Sequence, residues 1–265
     1  MDVELSILRT ITSALPRIRG AGFLGNAIRR FYARKPRAVL KSKVLDFDML
    51  LDPCECVDGG LLFYPDLYDR REISFLRRVL RPGDTFLDIG ANIGFYSLIA
   101  SSIVGPSGQV ISVEADPDTA MRLKEHLKIN RCRNSIVYQV GISDKYETLS
   151  LAVNQHGNRG GSSFLADSNR TIPVDCQPLA EFLASALAGK VARLMKMDIE
   201  GMELRVMRAF MSAAPKDIWP EYLIIEDNQN LYNAAGGEIV PLLESGGYKV
   251  IERCSGINVL MTLAR

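Results

Sequence analysis

Apolar and polar positions along this chain follow two alternating periods. From residue 81 onward, short apolar runs suited to buried strands are separated by longer stretches with helical spacing. The pattern predicts strands over 85–89, 109–114, 135–140, 192–198 and 222–227, and helices over 94–103, 117–129, 178–188, 203–212 and 236–245. The runs 148–153 and 171–176 read as extra strands bracketing a polar insertion, Asn154 to Arg170. Tyr248 to Arg253 and Ile257 to Leu263 read as a closing antiparallel hairpin through Ser255-Gly256. Strands alternating with helices imply an α/β, doubly wound, mainly parallel sheet that takes its ligand in the crevice at the strand C-termini.

The first eighty residues read differently. Leu5, Leu8, Ile11 and Leu15 share one helical face that Pro16 ends, and Phe23, Leu24, Ala27, Ile28 and Phe31 form a second stripe. Residues 44–64 read as two short strands around Asp58-Gly59-Gly60, and Glu72 to Leu80 as a lead-in helix stopped by Arg81-Pro82-Gly83-Asp84. The expected organisation is a basic helical segment over 1–43, a short hairpin and helix over 44–80, and the main domain over 81–265.

Charge sharpens that division. Residues 1–43 hold ten Lys or Arg against two acids, a net +8, so the remaining 222 residues carry about −7 of the overall +1. An acidic body argues against a broad nucleic-acid surface. The basic amphipathic segment either lies on an anionic membrane surface or packs on the domain with its charges solvated. No run of eighteen apolar residues occurs, which predicts no membrane-spanning helix. The five cysteines have no Cys-x-x-Cys spacing and suggest a reduced, cytoplasmic chain. Cys54 and Cys56 would share a face on a strand, but a zinc site needs four ligands and only His126 and His156 could add imidazoles. His126, among Lys and Glu on a helix, reads as a surface residue.

The candidate chemistry sits where strands end. Thr85-Phe86-Leu87-Asp88-Ile89 runs into Gly90-Ala91-Asn92-Ile93-Gly94 and then an apolar helix. That is a strand, a tight glycine turn and a helix start, the arrangement that binds nucleotide-like cofactors. A dinucleotide fold wants Gly-x-Gly-x-x-Gly, and Asn92 stands where its middle glycine would admit a pyrophosphate. S-adenosylmethionine carries no pyrophosphate and does not need that glycine. Glu114 ends the next strand twenty residues after Gly94, placed to accept both ribose hydroxyls of a nucleoside.

Together Asp88-Ile89-Gly90-Ala91-Asn92-Ile93-Gly94, Val113-Glu114-Ala115-Asp116-Pro117 and Lys196-Met197-Asp198-Ile199-Glu200-Gly201-Met202-Glu203 resemble the FkbM-type S-adenosylmethionine-dependent methyltransferases. Gly83-Asp84, Val140-Gly141-Ile142-Ser143-Asp144, Gly160-Gly161-Ser162-Ser163 and Leu223-Ile224-Ile225-Glu226 follow the same family order, so the likeness covers roughly residues 60 to 255. It implies a Rossmann-like methyltransferase fold with a seven-stranded sheet. It also implies acceptor hydroxyls on sugars, glycans, glycolipids or secondary metabolites. Met202 stands where many members carry His, so no role for that imidazole carries over.

On this reading Asp88, Gly90, Asn92 and Gly94 hold the methionine part of S-adenosylmethionine and Glu114 the ribose. Ser143 and Asp144 lie where the adenine would be, although Asp144 suits a plain turn equally well. Asp198 and Glu200 end the fourth strand. There a partly desolvated carboxylate can take an alcohol's proton, Asp198 first and Glu200 as its understudy; the bland reading is acids favoured at a helix N-terminus. Asp198, Glu226 and Asp227 also offer the oxygen ligands that Mg²⁺ prefers, without requiring it. The Asn/Asp-Pro-Pro-Tyr/Phe loop of amine-directed methyltransferases is absent, which favours an oxygen acceptor. Two rivals stay open, a nicotinamide-dependent oxidoreductase and a non-catalytic cofactor-binding module docked on membrane-associated glycan machinery.

Overall fold

A computed structural model of the protein describes residues 39–153, 161–165, 170–228, 238–254 and 257–264. The two amphipathic helices expected near the N-terminus, His156, most of the polar insertion and Ser255-Gly256 fall outside the described residues. The chain divides into two units, Met1–Arg70 with Asn154–Gly161, and Arg71–Val153 with Ser162–Arg265.

In the first unit, strands β1 (Leu40–Val44) and β2 (Phe47–Leu51) pair antiparallel, and helix α1 spans Cys56–Phe63. Strand β1 runs across the expected boundary at residue 43. The hairpin turns at Leu45-Asp46, with Leu45 at φ 50°, and not at Asp58-Gly59-Gly60 as the sequence suggests. Those three residues are helical for two reasons. The Asp58 carboxylate is buried and accepts from the Asp52 amide at 2.7 Å, which secures the start of the helix. Gly60 lets the Tyr68 ring pack on the helix, since a Cβ there would lie 2.8 Å from Tyr68 Cδ2. Glycine here serves close approach rather than turning. Cys54 is buried and Cys56 opens the helix exposed, so the two share no strand face.

The second unit follows the predicted alternation. Its helices are α2 (Arg70–Val79), α3 (Phe95–Val104), α4 (Pro117–Ile129), α5 (Leu179–Leu187), α6 (Glu203–Ala213) and α7 (Ile239–Ser245). Strands β3 (Thr85–Ile89), β4 (Gln109–Val113), β5 (Ser135–Tyr138), β9 (Leu194–Met197), β10 (Tyr222–Glu226), β11 (Tyr248–Arg253) and β12 (Asn258–Leu263) form one seven-stranded sheet in the order β11-β12-β10-β9-β3-β4-β5. Five strands are parallel, and β12 joins antiparallel between β10 and β11. The expected strand over 135–140 ends at Tyr138. Gly141–Ser143 forms β6 of a separate three-stranded sheet with β7 (Glu147–Ala152) and β8 (Thr171–Pro178), in the order β6-β8-β7.

All five residues of β3 are buried, as both faces of a parallel sheet must be when helices cover them. Leu87, Ile89, Met195, Met197, Leu223 and Ile225 point into one core layer with Phe182 of α5 and Met207 and Phe210 of α6. Asp88 and Lys196, opposite each other in register, alternate to the other face. From β3 the chain moves through β4 and β5 on one side, then returns to β9 and β10 on the other. The β3–β9 seam is therefore the switch point of the sheet, where an open α/β fold presents its ligand crevice. Among the described residues no helix is long and apolar enough to cross a membrane.

Candidate active site

The glycine turn grows directly out of β3. The amides of Gly90 and Ala91 both donate to the Val113 carbonyl, at 3.0 and 2.9 Å, and Gly94 in the left-handed region starts α3. A Cβ on Gly90 would overlap the carbonyl oxygen of Asp198 and lie 2.9 Å from its carbon, while φ at Gly90 is 76°. Only glycine lets the β3 turn and the β9 loop approach this closely. Donation from the Asp198 amide to the Ile89 carbonyl at 3.0 Å continues the seam.

Five of the sequence-predicted residues, Asp88, Gly90, Asn92, Gly94 and Glu114, meet around this turn. Asp88 is almost wholly buried. Its Oδ2 accepts from Ser97 at 2.6 Å, and the Ser97 and Ser112 hydroxyls lie 2.7 Å apart. Its Oδ1 is buried and takes no hydrogen bond from any described residue. A buried carboxylate oxygen left so is costly unless a ligand satisfies it. Burial raises the Asp88 carboxyl above its usual range, and Lys196 opposes that shift. Glu114 spans the turn, accepting from the Asn92 amide at 2.8 Å and the Asp116 amide at 2.9 Å. Burial pushes Glu114 up to about 7, against those two amide bonds. Asn92 itself sits at φ 49°, the left-handed region that asparagine tolerates.

His126 is a further participant, and the expectation of a surface residue was wrong. It is fully buried on α4, and its Nδ1 lies 2.8 Å from the Ile93 carbonyl, so Nδ1–H donates into the glycine turn. The surrounding Lys and Glu occupy other faces of α4, and the sequence pattern does not tell which face His126 takes. Replacing His126 by Phe should cost about 1–3 kcal/mol through the orphaned carbonyl. It should also loosen the turn, read as a lower melting midpoint together with weaker S-adenosylmethionine binding in calorimetry.

The β9 end carries the acids. The Asp198 carboxylate meets the Lys196 ammonium at 3.1 Å, and Lys196 itself is buried and stacks over the Tyr96 ring at 5.2 Å. Glu200 sits at φ 54° and Gly201 at 103°. This strained loop is held from three sides. Ser163 donates to the Glu200 carbonyl at 2.9 Å, and the buried Glu203 carboxylate accepts from the amides of Ile199 at 2.6 Å and Gly201 at 2.9 Å. Burial, then the charges of Asp198 and Glu203, push Glu200 up to about 7. Burial together with Asp198, Glu203 and Glu200 pushes Glu226 up to about 9. Lys196 and Glu203 had no role in the sequence reading, although both lie inside the motif that carried it.

Ser143 and Asp144 are drawn into a different cluster. Ser143 is fully buried in β6 and donates to Glu147 at 2.6 Å, and Arg205 of α6 pairs with Asp144 at 2.5 Å and with Glu147 at 2.6 Å. The Arg205 bonds, against desolvation, hold the Asp144 carboxyl below its ordinary value. Asp227 is likewise engaged, by Arg253 at 2.8 Å.

Oxygen atoms of Asp198, Glu203 and Glu226 come within 4.8 Å of one another. That donor set suits a hard cation. The fit is poor in two respects, because an ammonium already lies against Asp198 and both Glu203 oxygens accept backbone amides.

The raised carboxyls have a consequence for stability. Glu114, Glu200 and Glu226 hold their protons to higher pH when folded than when unfolded. Their contribution to stability is full below the ordinary glutamate range and is lost as pH rises through about 7 and about 9. The melting midpoint of the unliganded protein should drop between those values. Glu226→Gln should add about 1–2 kcal/mol of stability at the alkaline end, raising the midpoint there by roughly 2–8 °C.

Several known proteins are similar to this chain. "Protein-L-isoaspartate O-methyltransferase" of Ignicoccus hospitalis is 39% identical over 49 residues, which is 18% of this chain and 23% of that protein. "Methyltransferase 1" of Beauveria bassiana is 25% identical over 149 residues, 48% of this chain and 59% of that protein. The chain thus spans about a quarter of the first relative and three-fifths of the second. The solved structure of a methyltransferase FkbM from Methylobacillus flagellatus KT superposes with a TM-score of 0.43 at 15% identity, covering 92% of this chain and 60% of that one. The sequence model of the Methyltransferase FkbM domain matches residues 88–250, from the first acid of the glycine turn to the middle of β11 and more than half of the chain. With that model matched over more than half of its length, this chain belongs to the FkbM methyltransferase domain family.

Proposed function

We propose that the protein transfers the methyl group of S-adenosylmethionine to a hydroxyl oxygen, on a sugar, a glycan or a secondary metabolite. One observation carries the reading. The turn suited to the methionine part of the donor and the β9 acids suited to an acceptor touch each other at Gly90 and Asp198. An oxygen held there would be placed for attack on the methyl of a donor bound at the turn, and positioning alone can supply much of the acceleration of an in-line transfer.

The residues support a division of labour. The Asp88 Oδ1 fits the donor's amino group, as does Glu114 its ribose hydroxyls once the turn amides share it. The donor supplies an electrophilic methyl on sulfur. As the new O–CH₃ bond forms and the S–CH₃ bond breaks, its electron pair stays on sulfur and the acceptor's proton must leave. Asp198, pinned by Lys196, is suited to orient the hydroxyl. Glu200, raised to about 7, is suited to take that proton near neutral pH. Asp144 offers its remaining oxygen to the adenine amine only if Arg205 holds it still, and Ser143 supports Asp144 from within.

Calorimetric titration with S-adenosylmethionine and separately with NADH tests the donor. Saturation by NADH with no heat from S-adenosylmethionine overturns the proposal. Mass spectrometry of glycans and metabolites from cells with and without the protein tests the acceptor, through a difference of about 14 Da per added methyl. An amine product in place of an ether would replace the hydroxyl reading.

A further inference from the structure

Lys196 is unusual for its position. It lies mid-sheet, in register with Asp88, on a strand whose other residues are all apolar, and it is only 5% exposed. Lysine is almost never so buried unless it is paired. The groups around it are Asp88 on β3, Tyr96 on α3, Asp198 and Glu200 on the loop after β9, Glu203 at the start of α6 and Glu226 at the end of β10. Five acids and one base therefore converge on one end of the seam.

We propose that Lys196 is the built-in cation of this acidic strand end: its ammonium does at Asp198 the orienting work of a divalent metal, and thereby keeps a metal from the cluster of Asp198, Glu203 and Glu226. The geometry supports this in three ways. The ammonium lies 3.1 Å from Asp198 Oδ2, within direct bonding distance. A metal held by Asp198 at the usual roughly 2.0–2.6 Å would have to share that one carboxylate with the ammonium, a second cation only a few ångströms away that weakens its hold. Each oxygen of Glu203 already accepts a loop amide, at 2.6 and 2.9 Å, so a metal would compete for its remaining lone pairs. Lys196 is thus a positioning residue that acts through Asp198. The role assigned to Asp198 rests on the methyl-transfer reading, whereas the exclusion of metal does not.

The test is Mn²⁺ binding to the full chain, followed by electron paramagnetic resonance, in the wild type and in Lys196→Met, Lys196→Arg and Lys196→Met/Glu226→Gln. Wild type and Lys196→Arg should show no Mn²⁺ bound at this cluster. Lys196→Met should gain a site at least about tenfold tighter than any in the wild type, and the double variant should lose it. A lysine that merely filled space would not create a metal site when removed. The proposal is overturned if wild-type protein binds Mn²⁺ in a manner abolished by Glu226→Gln, or if Lys196→Met melts cooperatively yet gains nothing. Should Lys196→Met fail to fold, the comparison of wild type with Glu226→Gln still decides, binding lost on that change overturning the proposal and no binding in either upholding it. S-adenosylmethionine titrated into the same wild-type sample separates the two ideas. Failure to bind it overturns the methyl-transfer reading and leaves the Mn²⁺ result standing.

Discussion

Gly90→Ala is expected to destabilise the protein by about 2–5 kcal/mol and to abolish measurable S-adenosylmethionine binding. Two costs combine. The new methyl would overlap the Asp198 carbonyl oxygen, a backbone atom that cannot swing aside. Overpacking of that kind costs about 1–3 kcal/mol. Alanine must also adopt φ 76°, and left-handed backbone costs a non-glycine residue roughly 1–2 kcal/mol. Any relief requires the β3 turn and the β9 loop to separate, which is the movement that would pull the donor side away from the acid side. Gly94→Ala is the control. Its Cβ would meet the tip of Leu123, 3.7 Å from Cγ, and that side chain can rotate away. The cost there should be near the backbone term alone, about 1–2 kcal/mol. Denaturant melts and calorimetry on both variants check the contrast. Equal losses at the two glycines would mean that the approach to Asp198 is unimportant.

Glu200→Gln is expected to lower kcat by about 10²–10⁴ and leave donor affinity within about threefold. The loop around Glu200 is held by Ser163 and Glu203 in a conformation that a non-glycine residue rarely adopts. Strain maintained by surrounding bonds concentrates where geometry matters for function. A base acts in its deprotonated form, so with Glu200 raised to about 7, kcat should climb as pH rises through that value and level off above it. The glutamine variant should lose that rise along with its rate. A variant that keeps the wild-type acidic limb would move the base role to Asp198. Ser163→Ala offers a milder version, because removing the hydroxyl that steadies the Glu200 carbonyl should lower kcat while KM for the donor stays near its original value.

The glycine turn was legible because it is a local signal. Asp88, Gly90, Asn92 and Gly94 lie within seven residues, and their spacing dictates a strand, a bend and a helix start. Glu114 was legible for a related reason, since one strand-helix-strand unit fixes how far on the next strand end falls. The same reasoning misread Asp58-Gly59-Gly60. A turn signature and a helix with a close-packed glycine look alike until Tyr68 is seen against Gly60. It misread His126 too, whose partner at Ile93 lies 33 residues away on another element. Asp144 read as an adenine or turn residue because Arg205, its ion-pair partner, belongs to a helix formed much later in the chain.

Beyond the seven-stranded sheet that the family resemblance implied, the sequence by itself determined the alternation of strands and helices and the mainly parallel sheet they build. Those follow from periodicity, which each segment carries within itself. Only the tertiary structure decided the state of the polar groups at the strand ends: Lys196 buried against Asp198, Glu203 accepting loop amides, Glu200 and Glu226 driven to hold protons. A charged side chain takes its burial, its partner and its proton affinity from elements far away in sequence, and these exist as neighbours only after the sheet has assembled.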